Sequence, residues 1–113
     1  METLKYRFEQ GRRSLSGMPQ LVGVVGSGNL EVMIEPALLH GACEIEVRTA
    51  AVGFGATWQA VMADFHDRWS LADARISIND MGATPAVVSL RLDQAAEALI
   101  DPTPANLGAG GAP

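Results

Sequence analysis

Leu21-Val22-Gly23-Val24-Val25-Gly26-Ser27-Gly28-Asn29-Leu30-Glu31-Val32-Met33-Ile34-Glu35-Pro36 is the stretch that decides the fold. Leu21 to Val25 is an apolar run. Leu30, Val32 and Ile34 then alternate with Glu31, Met33 and Glu35. That two-residue period belongs to a half-buried strand, which Pro36 stops. Gly26-Ser27-Gly28-Asn29 between the runs has turn chemistry, so the segment reads as a β-hairpin. Glycines on both sides of Ser27 clear space around its hydroxyl.

Two further alternations extend the sheet. Leu4, Tyr6 and Phe8 interleave with Lys5, Arg7 and Glu9; Cys43, Ile45 and Val47 interleave with Glu44, Glu46 and Arg48. Gly11 to Pro19, rich in Ser, Gly and Arg, reads as a loop. Ile76 and Ile78 mark a short fifth strand ending at Asn79-Asp80-Met81-Gly82.

Phe54, Trp58, Val61, Met62, Phe65 and Trp69 recur at helical spacing and gather both tryptophans and two of the three phenylalanines. A core-facing helix accounts for such a stripe better than a cofactor box, since aromatic side chains dominate burial. Thr84-Pro85 offers an N-cap followed by proline at the first helical position. Val88, Leu92, Ala95, Ala96 and Leu99 then follow helical spacing to Ile100, although Val88 to Leu92 also alternates and leaves a strand open there. The order β-β-β-β-α-β-α predicts an α+β fold. It is a two-layer sandwich, with a small antiparallel or mixed sheet of about five strands and two helices on one face. Residues 101–113, mostly Pro, Gly and Ala without core periodicity, read as a disordered tail.

The chain has 113 residues and a net charge of −5. The charge is uneven. Residues 1–20 carry Lys5, Arg7, Arg12 and Arg13 against Glu2 and Glu9, leaving four basic and eleven acidic groups beyond them. That balance disfavours nucleic acid, which needs clustered Lys and Arg, and suits basic protein partners. The single Cys43 excludes an internal disulfide and a Cys-rich metal site. Its place in the alternation is that of a buried small hydrophobe, compatible with a reducing cytoplasm. The uncharged window Ser14 to Leu30 contains Pro19, Gln20 and four glycines and is too short and polar to span a bilayer. No continuous apolar block with a small-residue cleavage site follows Arg12-Arg13, so a soluble, unprocessed protein is expected.

Little reactive chemistry remains. A dinucleotide loop starting at Gly26 would need its third glycine at position 31, which is Glu31, and a strand rather than a helix follows. No Gly-Lys-Ser/Thr of a phosphate-binding loop occurs. Ser27 lacks the G-x-S-x-G elbow of a hydrolase, with Val25 two residues before it and Asn29 two after. His40 and His66 are the only imidazole bases, and neither sits in a coupled motif. Asp64 with Asp67, and Glu44 with Glu46, read as solvated faces, and the histidines are too scattered for a catalytic metal. On residues alone Ser27 is either a turn residue or a hydroxyl available for modification.

Val24-Val25-Gly26-Ser27-Gly28-Asn29-Leu30-Glu31-Val32, together with Ile78-Asn79-Asp80-Met81-Gly82-Ala83-Thr84-Pro85, resembles the acyl carrier subunits of malonate decarboxylase. The resemblance spans most of residues 1–99. It is looser toward the acyl carrier subunit of citrate lyase, which shares the Ser-Gly before an alternating strand and a later Asp-x-Gly-Ala. The Asp-Ser-Leu signature of ordinary phosphopantetheine carriers is missing. The residue after Gly-Ser-Gly, commonly aspartate in the family, is Asn29 here.

The resemblance implies an acyl carrier domain over residues 1–100. It implies that Ser27, between Gly26 and Gly28, holds phosphoribosyl-dephospho-coenzyme A through a phosphodiester. The implied role is non-catalytic: the arm carries acetyl and malonyl thioesters while malonate becomes acetate and carbon dioxide. The implied partners are the acyltransferase and decarboxylase subunits and a prosthetic-group transferase, with no nucleic acid, membrane or metal. A citrate lyase carrier and an unmodified protein-interaction module are the alternatives.

Overall fold

The structure, a computed structural model, describes residues 1–14, 22–27 and 29–100, with the backbone alone at 22–27 and 100. The predicted tail at 101–113, most of the predicted loop (residues 15–19) and Gly28 lie outside the described residues.

The elements are β1 (Glu2–Phe8), β2 (Arg13–Ser14), β3 (Val22–Ser27), β4 (Leu30–Pro36), β5 (Cys43–Thr49), α1 (Gly55–Trp69), β6 (Leu71–Ala72), β7 (Ala74–Asp80) and α2 (Pro85–Ile100). Five strands form one sheet in the order β1-β5-β7-β4-β3. The β5–β7 pair is parallel and the other three pairs are antiparallel. The expected α+β sandwich with a mixed sheet is therefore what the chain forms. The parallel pair follows from β5-α1-β7, because a helix must carry the chain back along the sheet before the next strand can run the same way.

Alternation decides the faces. Leu30, Val32, Ile34, Cys43, Ile45, Val47, Ala74, Ile76 and Ile78 are all buried on the side that receives the helices. Lys5, Arg7, Glu31, Arg48, Arg75 and Asn79 are exposed on the other side. There Glu44 accepts from Arg7 and lies 3.6 Å from Arg75.

Trp58, Met62 and Phe65 of α1 and Val88, Leu92, Ala95, Ala96 and Leu99 of α2 close the core. Burying a side chain such as Phe65 is worth about 1.5–3 kcal/mol. The burial of Val88 and Leu92 on the same helical stripe as Ala95 settles the Val88–Leu92 ambiguity in favour of the helix. Thr84 is its N-cap, the Oγ1 accepting from the Val87 N–H at 3.3 Å.

Three expectations need correction. The Gly11–Pro19 segment is not all loop: Arg13–Ser14 pairs in parallel with Leu71–Ala72, a contact too short to leave a period in sequence. Gly26 and Ser27 are not turn residues. They remain in β3, opposite Glu31 and Leu30, because the backbone ladder continues to the last pair before the connection. Phe54, the first residue of the aromatic stripe, stays 53% exposed. It precedes the first helical turn, so the period that buries Trp58 does not bind it.

Candidate functional site at the Ser27 end of the sheet

Ser27 is the last residue of β3, one of the two edge strands of the sheet, and two residues separate it from its partner Leu30. Leu30 in turn lies opposite Asp80, Asp80 opposite Thr49, and Thr49 opposite Glu2. One register row thus runs across the whole sheet from Ser27 to Glu2. The same end gathers the loops after β5 and β7 and the amino-terminal turns of both helices. These loops are tied together by backbone bonds: Met81 donates to the Asn29 carbonyl and Ala50 to the Asp80 carbonyl, each at 2.9 Å.

Asp80 organises this end. It is 3% exposed, yet its carboxylate is well partnered. Oδ2 accepts from the Thr49 hydroxyl at 2.8 Å, and Oδ1 from the backbone N–H groups of Gly82 at 3.2 Å and Ala83 at 2.7 Å. A buried carboxylate is tolerated when hydrogen bonds replace its hydration. Gly82 between them sits at φ 123°, which a side chain disfavours. The Asp-x-Gly-Ala motif is thereby a clasp that turns β7 into the capped start of α2.

An apolar pocket of about 350 Å³ opens above this row, between the amino-terminal turns of α1 and α2. Phe54, Trp58 and Val61 line it from α1 and its approach; Ala83, Pro85 and Val88 line it from α2; Asp80 lies at its base. Phe54, Val52 and Met81 are exposed apolar side chains around the same loops.

Both histidines are elsewhere. His40 follows β4 at the opposite end of the sheet, and His66 lies in the last turns of α1, stacked on Phe8 at 4.7 Å. A seven-residue strand separates the two ends by about 20 Å, so the structure brings no imidazole to Ser27. A Ser-His hydrolase is excluded on that geometry. The carboxylates weighed in sequence also stay apart from it. Asp64 pairs with Arg68 on the surface of α1, while Glu44 and Glu46 lie on the open sheet face.

Among the described residues no three His, Cys, Asp or Glu side chains group as a metal site. Cys43 is buried, and loss of solvation pushes its thiol up to about 12. It is inert. Gly26 backs Ser27 within β3, and Gly28 lies outside the described residues.

The sequence singled out Ser27 but not the Thr49–Asp80 pair. A signal was present: Thr49 continues the inward alternation of Cys43, Ile45 and Val47, and Asp80 that of Ile76 and Ile78. A polar residue at a buried register position demands a partner.

The family model "Malonate decarboxylase delta subunit (MdcD)" matches residues 18–99. The chain is 64% identical over 100 residues to the malonate decarboxylase acyl carrier protein of Xanthomonas euvesicatoria pv. vesicatoria (strain 85-10), covering 88% of this chain and 95% of the relative. It is 60% identical over 103 residues, with the same coverage, to the protein of that name from Stenotrophomonas maltophilia (strain K279a). The fold matches a chain from the crystal structure of a Pseudomonas malonate decarboxylase hetero-tetramer in complex with malonate. The TM-score is 0.71 at 39% identity, covering 88% of this chain and 99% of that one. No helix among the described residues is long and apolar enough to cross a membrane. With a family model over most of its length, close relatives across nearly all of theirs and a shared fold, the chain belongs to the malonate decarboxylase acyl carrier protein family.

Proposed function

We propose that residues 1–100 form a non-catalytic carrier domain whose Ser27 holds phosphoribosyl-dephospho-coenzyme A through a phosphodiester. The observation that carries this reading is the position of Ser27: last in an edge strand, at the end of the sheet where both helices begin, and far from either histidine. A serine hydroxyl can form a phosphate ester, and the apolar pocket two strands away suits the uncharged end of a long arm. The residues present therefore fit the group.

When bound, it supplies a thiol whose thioester stabilises charge beside the carbonyl as carbon dioxide leaves. The chain's own residues hold and present it. Ser27 anchors the arm, Gly26 and Gly28 keep the backbone beside it unobstructed, and the Asp80 clasp fixes the loops around it. Tethering replaces repeated diffusive encounters by a high effective concentration at each partner. The partners, all in the cytoplasm, are the prosthetic-group transferase that attaches the arm and the acyltransferase and decarboxylase subunits that act on its acetyl and malonyl thioesters.

Intact mass of the full chain co-expressed with its modifying enzymes tests the reading. Wild type gains the mass of the group and Ser27→Ala does not. An unchanged wild-type mass leaves an unmodified interaction module and overturns the proposal. Gly28→Val slows modification while the thermal midpoint stays at the wild-type value; equal modification rates remove the role given to that glycine.

A further inference from the structure

Resting on the Ser27 reading, we propose that the apolar pocket between α1 and α2 shelters the acetyl end of the arm and rejects the malonyl end. Three observations converge on this site. The first is reach. Ser27 and Asp80 are separated only by Leu30 in the register row, so their backbones lie about 10 Å apart at the usual strand spacing. The Asn29–Met81 backbone bond ties the connection after Ser27 to the loop that forms the pocket's edge. A phosphodiester-linked pantetheine chain is longer than that gap.

The second is size and lining. About 350 Å³ is at the small end of ligand pockets. Phe54, Val61, Ala83, Pro85 and Val88 offer carbon surface to a methyl group and a thioester. Met81, 60% exposed and bonded through its N–H to the Asn29 carbonyl, adds apolar surface on the side of Ser27.

The third is charge. Among the described residues Asp80 is the only ionisable one lining the pocket, and no Lys or Arg among them lines it. Its oxygens already accept from the Thr49 hydroxyl and the Gly82 and Ala83 N–H groups, so they offer nothing to a second acid group. An acetyl thioester is neutral and enters at little cost. A malonyl thioester would bring a second carboxylate into an apolar space beside the first, losing hydration and gaining repulsion. The acetyl form is thereby stored away from water, and once a partner has exchanged it for the malonyl form the arm does not return to the pocket and stays available for decarboxylation.

Two measurements on the full-length carrier test this, after intact mass has shown the arm in place. Val61→Phe fills the pocket from α1, and Ala83→Leu does so from α2 should the first variant fail to fold. Hydrolysis of the loaded thioester consumes one water, breaks the C–S bond, and leaves a free thiol and a carboxylic acid. For the acetyl form the filled variant hydrolyses several-fold faster than wild type; for the malonyl form the two rates agree. In a Trp69→Phe background the remaining Trp58 emission shifts between the unloaded and acetylated arm, and not between the unloaded and malonylated arm. Equal acetyl hydrolysis rates in wild type and filled variant, or an unmoved Trp58 emission, overturn the inference and leave Ser27 as the anchor. Protection of both thioesters alike overturns the charge selection. A wild type that never gains the arm overturns the Ser27 reading and this inference together.

Discussion

The Thr49 hydroxyl donates to Asp80 Oδ2 at 2.8 Å across the parallel β5–β7 pair, in the buried layer between sheet and helices. It joins the last residues of two strands whose following loops frame the pocket. The bond converts a buried charge into a fixed point. Thr49→Val keeps the shape and removes the donor, leaving a buried carboxylate oxygen short of a partner. The expected loss is about 1–3 kcal/mol, and Asp80→Ala, which also frees the Gly82 and Ala83 N–H groups, should lose more. Urea unfolding of the two variants and wild type checks the order.

Gly11 lies against β6: a Cβ at this position would stand 2.1 Å from the Leu71 carbonyl oxygen. The Gly11 and Arg12 N–H groups donate to Gly41 and Ser70 carbonyls at 2.8 Å, so the backbone cannot retreat without losing both bonds. Gly11→Ala is expected to destabilise by about 1–3 kcal/mol, as forced overpacking does. A thermal midpoint unchanged from wild type would contradict the close approach.

At the end of the sheet away from Ser27, Asp73 holds the β4–β5 loop. The Gly41 N–H, the Ser14 hydroxyl and the Leu39 N–H all donate to its carboxylate, in that order of effect, and hold its pKa below the ordinary carboxylate value. A depressed folded-state pKa stabilises the fold fully above the ordinary value, and that contribution is lost as pH falls through the depressed one. Stability measured against pH should fall more steeply in this acidic window for wild type than for Asp73→Asn. Superimposable profiles would deny Asp73 the role.

Cys43, buried with its thiol pushed up to about 12, should resist alkylation at pH 8 in the folded protein. Iodoacetamide followed by intact mass should label it only after denaturant is added. Fast labelling of the native chain would show that β5 opens.

Phe54 and Phe65 sit on one stripe and differ in consequence. Phe65 is 1% exposed and Phe54 53%. Phe65→Ala should cost about 3–5 kcal/mol. Phe54→Ala should stay within about 0.5 kcal/mol, as surface substitutions do. Denaturant midpoints decide the contrast.

The local elements were legible because their signals are local. Strand alternation at Leu30–Ile34 and Cys43–Val47, the helical stripe from Trp58 to Trp69, and Thr84-Pro85 at the head of α2 each depend on neighbours a few residues away. Ser27 stood out for the same reason, as a hydroxyl between glycines in a chain with few reactive groups. Ser27 as a strand-end residue, the Arg13–Ser14 pairing with Leu71–Ala72, and the exposure of Phe54 were not legible, since each depends on what packs opposite.

By itself the sequence determined an α+β sandwich and its inward faces, and it singled out Ser27 as a hydroxyl between two glycines. Only the tertiary structure decided the strand order, with β5 and β7 side by side and β3 at an edge. It also put both histidines at the far end from Ser27, and joined Thr49 to Asp80 beneath a pocket. The physical reason is distance along the chain. A periodic pattern specifies which way a side chain faces, whereas pairings such as Thr49 with Asp80 exist only once the core has brought remote strands into register.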